Sequence, residues 1–220
     1  MPRDLKFGRK PAASGKASSL VIFLHGYGAD GADLLGLADV FAPHLPNAVF
    51  IAPDAPEKPL MAPNGFQWFP IPRFDGSSEA QMDAGIDRAT LDLNAFIDAS
   101  LAAEGLAVEA LALIGFSQGA MMSLHIAPRR ATPFAGVVAI SGRLMRAEVL
   151  QAESLVKPPI LVMHGDQDDV VPFGEMQRAG DALTKAGFET YGHIMKGTGH
   201  GIAPDGLSVA MRFLKDKLPD

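Results

Sequence analysis

A chain of 220 residues, 48% apolar and 20% charged, can close one hydrophobic core without disulfides or metals, so a single domain over residues 1–220 is expected. Its net charge of −6, with no basic cluster longer than Arg129-Arg130, disfavours phosphate backbones, and nucleic acid is set aside as a partner. The absence of cysteine excludes disulfides, thiolate nucleophiles and cysteine-based zinc sites.

Met1 to Ser19 carries charge but lacks the apolar stretch of roughly 7–15 residues that a secretory signal needs, so a cytoplasmic protein is expected. Leu20–Leu24 follows, far short of the about 20 residues that cross a bilayer, and no stable membrane insertion is expected. It is the first of several short apolar runs; Val49–Ala52, Ala110–Ile114, Val137–Ile140 and Ile160–Met163 continue the series. Runs of about 4–8 apolar residues suit parallel strands buried on both faces. A last strand is expected over Thr190–Met195.

Helical spacing fills the intervals. A helix is expected over about 31–42, and a longer one begins at the capping box of Ser78 and Gln81 and carries Met82, Ile86, Leu93, Phe96, Ile97 and Leu101 as its apolar stripe. Others are expected over about 118–127, 173–186 and 205–217. The alternation predicts an α/β fold, a mostly parallel central sheet with helices on both faces and ligands beyond the carboxyl ends of its strands.

The residues with chemical potential do follow strands. Gly115-Phe116-Ser117-Gln118-Gly119 lies between the run Ala110–Ile114 and the helix that starts near Gln118. A strand that turns at once into a helix strains the intervening residue and exposes it, and a glycine two positions away on each side relieves the crowding. Ser117 is therefore the expected nucleophile. Its hydroxyl needs a base, and in this arrangement the partners follow in the order serine, acid, histidine. His200, in the loop Gly197-Thr198-Gly199-His200-Gly201 before the last helix, is the expected base. His193 sits inside a strand, and His44, His125 and His164 read as structural or surface histidines. They share no spacing that would bind zinc, so no metal and no cofactor is expected.

Acyl transfer passes through an oxyanion that two donors must already face. One is expected from the backbone N–H of Gln118, and the other from Tyr27 in the turn His25-Gly26-Tyr27-Gly28. Three carboxylates, Asp166, Asp168 and Asp169, crowd the turn that should supply the acid. Asp166, directly after Gly165, reads as a brace for backbone N–H groups, which leaves Asp168 and Asp169 in contention.

Together these residues resemble the phospholipase/carboxylesterase family of α/β-hydrolases, which includes the acyl-protein thioesterases. The resemblance runs through Leu24 to Gly28, Ala52 to Pro56, Asn64-Gly65 with Trp68-Phe69, Gly115 to Gly119, His164 to Pro172 and Gly199-His200. It implies the α/β-hydrolase fold, a lidless domain without cofactor, and Asp168 as the acid, with Asp169 pointing elsewhere. The chain departs from the family at Tyr27, commonly Leu, at Ala120, commonly Gly, and at Trp68-Phe69-Pro70, where an aromatic and an acid usually follow the tryptophan. The stretch Pro53 to Pro72 should border the acyl pocket, with Met61, Phe66, Trp68, Phe69 and Phe74 as candidate lining.

The expected activity is that of a serine carboxylesterase acting on a small-molecule ester through an acyl-enzyme. A lysophospholipase or acyl-thioesterase using the same residues is the alternative, and a silent, ligand-binding relative is a third reading. A homodimer is compatible with the sequence and not required by it.

Overall fold

The computed structural model describes residues 1–219. Seven strands form one sheet: β1 (Phe7–Lys10), β2 (Ser19–Leu24), β3 (Ala48–Pro53), β4 (Leu111–Phe116), β5 (Gly136–Ile140), β6 (Ile160–Gly165) and β7 (Thr190–Met195). Their spatial order is β1-β3-β2-β4-β5-β6-β7, with β1 antiparallel to β3 and every other pair parallel. All but β1 correspond to expected strands.

β1 escapes a sequence reading because its residues, Phe-Gly-Arg-Lys, alternate between exposed and half-buried and show no apolar run. It becomes a strand by pairing with β3, from Phe7 opposite Pro53 to Lys10 opposite Phe50. Its charges also blunt the open edge: Arg9 reaches Glu104 and Lys10 reaches Asp39.

Five central strands are buried along nearly their full length, as parallel strands covered on both faces should be. The two-residue period of a strand divides their side chains between two cores. Leu20, Ile22, Leu113, Val137 and Val162 face a layer that includes helix α4 (Glu79–Glu104) and helix α5 (Gln118–Ile126). Val21, Phe23, Phe50, Ile114 and Met163 face the other layer, with Phe41, Met211 and Leu214.

The capping box forms at the start of α4 as read, with Ser78 Oγ accepting from the Gln81 N–H, and Gly105 ends the helix in the left-handed region at φ 67°. The helix expected over 31–42 is instead two pieces, α1 (Gly31–Leu35) and α2 (Ala38–Phe41). Between them Leu37 N–H donates to Leu34 O and Asp39 N–H to Gly36 O, the tighter three-residue pattern, at a glycine that holds an α-helix poorly. The remaining helices are α3 (Pro72–Asp75), α6 (Leu150–Glu153), α7 (Gly174–Lys185) and α8 (Pro204–Lys217). Among the described residues no helix is long and apolar enough to cross a membrane.

Candidate active site

Ser117 occupies the single residue between β4 and α5, at φ 53° and ψ −115°. Such a conformation costs a residue other than glycine on the order of 1–3 kcal/mol. The packing around it enforces the strain. A Cβ on Gly115 would collide with the Gly119 carbonyl, and one on Gly119 with the carbonyl of Leu24, so strand, turn and helix meet as bare backbone. Ser117 N–H donates to Ile140 O at 2.8 Å, which ties the turn to β5.

His200 Nε2 lies 3.0 Å from Ser117 Oγ, and His200 Nδ1 lies 2.8 Å from Asp168 Oδ2. This contact chain assigns the tautomer: Nδ1–H donates to the carboxylate and Nε2 keeps its lone pair for the serine hydroxyl. Asp168 Oδ1 accepts from the N–H groups of Val170 at 3.0 Å and Val171 at 2.9 Å. Burial by itself would raise the Asp168 carboxyl, but the hydrogen bonds from His200 and from the Val171 and Val170 N–H groups outweigh it and hold it below the usual range.

Of the other two acids in the turn, Asp169 is exposed. Asp166 does brace backbone, but that of the opposite loop: its Oδ1 accepts the Gly197 N–H at 2.7 Å. Gln167 N–H donates to Thr198 O at 3.0 Å, and a Cβ on Gly165 would collide with that same carbonyl. The acidic turn and the His200 loop are thus packed backbone against backbone, which fixes the imidazole over the serine.

His164 reads as structural from sequence and is buried at the end of β6, yet it belongs to this assembly. Its Nε2 is 2.9 Å from Val171 O and 3.2 Å from Asp168 Oδ2. The overlooked signal is its place four residues before Asp168 in one tight turn. His193, by contrast, pairs with Asp205 at 2.8 Å on β7, His44 is exposed, and His125 is buried within α5.

Facing Ser117 is the turn leaving β2. Gly28 N–H donates to Phe66 O and Ala29 N–H to Gly26 O, while among the described residues the intervening Tyr27 N–H has no protein acceptor. Gln118 opens α5, where no carbonyl of the helix itself reaches its N–H. Gly26 stands close to the elbow: an added Cβ would lie 3.3 Å from Ser117 Cβ. His25 secures this turn from beneath. Its Nδ1–H donates to Gly26 O at 2.7 Å and its Nε2 accepts the Ala55 N–H at 2.9 Å, an arrangement of the neutral ring. Burial lowers its pKa accordingly.

A cavity of about 470 Å³ opens over Ser117 and His200, with Tyr27, Phe69, Phe74 and Met121 among its walls. The expected lining is only partly right. Phe69 and Phe74 face the cavity, whereas Trp68 is fully buried and takes no part in the wall. Trp68 belongs to the scaffold because its polar atoms are spoken for: Nε1–H donates to His25 O at 2.9 Å and its N–H to Gln118 Oε1 at 2.8 Å. Gln118 Nε2 completes the clasp on Phe69 O at 2.7 Å. Met61 lies 68% exposed on the surface, outside the cavity. Phe66 supports the Tyr27 turn through its backbone, with its ring set against His25 and beneath Lys58.

The family model described as Phospholipase/Carboxylesterase matches residues 11–218. An acyl-protein thioesterase 1 homolog from Dictyostelium discoideum is 31% identical over 209 residues, covering 92% of each chain. The esterase YpfH of Escherichia coli strain K12 is 28% identical over 203 residues, 92% of this chain and 84% of that one. Among solved structures, the crystal structure of esterase PE8 superposes with a TM-score of 0.93 at 40% identity, over 98% of this chain and all of the other. With residues 11–218 of its 220 matched by that family and the sheet and elbow described above, the chain belongs to the phospholipase/carboxylesterase family of α/β-hydrolases.

Proposed function

We propose that the chain is a serine hydrolase of carboxylic esters in which Ser117 attacks the carbonyl, His200 carries the proton and Asp168 orients His200. The observation that carries this reading is the unbroken contact chain from Ser117 Oγ through both nitrogens of His200 to Asp168 Oδ2. His200 Nε2 takes the hydroxyl proton as Ser117 Oγ bonds to the carbonyl carbon, and returns it to the departing alcohol. Water then repeats the sequence on the acyl-enzyme. Asp168 stays ionised and stabilises the imidazolium between the two transfers.

The N–H groups of Tyr27 and Gln118 are the donors we assign to the oxyanion, each worth roughly 10²–10³ in rate. A carboxylic ester is the substrate class favoured by the relatives named esterase and carboxylesterase. Relatives named acyl-protein thioesterase favour a thioester as a second class for the same residues.

The deciding experiment is labelling with a fluorophosphonate probe alongside release of nitrophenol from a short nitrophenyl ester. Ser117→Ala should lose both while melting as a folded protein, because the change removes one oxygen and no core volume. Labelling of the alanine variant at the wild-type rate would sink the assignment.

A further inference from the structure

We propose that the cavity takes esters that bear an anionic group, a carboxylate or a phosphate, away from the scissile carbonyl, and that Arg73 and Arg143 hold it. This rests on the serine hydrolase reading above and deepens it to a substrate class.

The chain holds ten arginines in an acidic protein, 25 carboxylates against 19 Lys and Arg. An arginine here has carboxylates in excess to choose from, and six of them take at least one: Arg3, Arg9, Arg129, Arg130, Arg146 and Arg178. Among the described residues Arg73 and Arg143 take none within the 4.0 Å of an ion pair, although both line the cavity that contains Ser117 and His200. Arg88 and Arg212, also without an acid, lie on the outer surface away from it.

Both arginines are solvent-exposed residues of the cavity lining, and each starts from a defined place in the fold. Arg143 follows Ser141 and Gly142 at the end of β5, and Gly142 packs against the elbow so closely that a Cβ there would lie 3.1 Å from the Ser117 carbonyl oxygen. Arg143 therefore leaves the sheet beside the reacting serine. Arg73 rises from α3 with its guanidinium carbon 4.9 Å above the Phe74 ring, and that ring in turn packs 5.3 Å from the ring of Tyr27. Two acids also line the cavity. Glu175 is engaged by Arg178, and Glu79 stands in the first turn of α4, where the helix N-terminus favours a negative charge. The wall thus holds two guanidiniums without a carboxylate partner, against Glu79 as its one carboxylate without a basic partner. The remaining wall, with Phe69, Ile71 and Met121, suits the carbon skeleton of the substrate. A planar guanidinium meets carboxylate and phosphate oxygens through paired N–H groups, so either anion satisfies the site.

Two substrate pairs separate the sources. The 4-nitrophenyl monoester of glutaric acid against 4-nitrophenyl hexanoate places the charge in the acyl half, and 1-hexanoylglycerol 3-phosphate against 1-hexanoylglycerol places it in the alcohol half. The readout is the ratio of kcat/KM, anionic over neutral, within each pair. Arg73→Gln and Arg143→Gln should each lower that ratio in one pair by about tenfold, the scale of one charge-assisted hydrogen bond. Arg143→Lys should restore part of the loss. The wild-type ratio should fall as KCl rises from 10 to 500 mM, where screening shortens the reach of the charges. If the ratios of the double Gln variant equal those of wild type in both pairs, the inference is wrong while the hydrolase reading stands. Failure of wild type to turn over hexanoate or accept the fluorophosphonate overturns both.

Discussion

Replacing Asp168 by Asn tests the whole contact chain, because the amide has only one arrangement that suits its neighbours. Its oxygen must stay on the N–H groups of Val170 and Val171, which Asp168 Oδ1 now accepts at 3.0 and 2.9 Å. The NH₂ then takes the place of Oδ2 and meets His200 Nδ1, 2.8 Å away, and His164 Nε2, 3.2 Å away. Two donors cannot share that line, so His200 moves its proton to Nε2. There it points at Ser117 Oγ, and the ring has no lone pair left for the hydroxyl. The expected loss in kcat is about 10⁴-fold, the scale known for a triad acid changed to its amide, or about 5 kcal/mol of barrier. Asp169→Asn, at an exposed position, should cost less than about tenfold, roughly 1.4 kcal/mol. Steady-state release of nitrophenol from 4-nitrophenyl butyrate measures both, with thermal melting to establish that each variant is folded. A folded Asp168→Asn enzyme within a hundredfold of wild type, or an Asp169→Asn variant more damaged than it, would refute the assignment of the acid.

Two further outcomes follow from burial. Trp68→Ala should lower stability by roughly 3–5 kcal/mol, the range for emptying a large aromatic site, and reduce rates on short and long acyl chains by a common factor; a selective loss on long chains in urea-titrated, folded protein would return Trp68 to the pocket wall. His125 is 3% exposed, and burial first, then Arg129 and Arg146, push its pKa down to about 4. The unfolded chain therefore binds a proton near pH 6.5 that the folded chain refuses until about pH 4, so stability is full above this window and falls through it by up to about 3 kcal/mol. His125→Leu should remove that part of the slope in urea unfolding measured from pH 7 to 4; an unchanged slope would show that the ring is not neutral in the folded state.

Periodicity made the architecture legible. Continuous apolar runs mark strands covered on both faces whatever their neighbours, and six of the seven strands announce themselves in this way or by order. The elbow was equally plain, since a serine between glycines at a strand-to-helix junction can be read from adjacent residues, although Leu24 and Ile140 hold it in place. Resemblance, rather than spacing, separated Asp168 from Asp169, as the turn alone offers three carboxylates within four residues.

What stayed hidden depends on distance in the chain. β1 exists because β3 lends it hydrogen bonds some 40 residues away, and nothing in its own polar sequence asks for an extended backbone. Aromatic residues in a proline-rich loop look alike in sequence, and Trp68 parted from Phe69 only when its indole N–H found the His25 carbonyl 43 residues earlier in the chain. His164 became a partner of Asp168 when β6 and its turn closed on each other. The sequence by itself determined the period of the elements that carry apolar runs or stripes and the junction that sets Ser117 between β4 and α5, because both are written in neighbours along the backbone. The tertiary structure alone decided which aromatics face the cavity, which arginines lack a carboxylate and which imidazole stands over the serine, because those outcomes turn on partners brought together across the sheet.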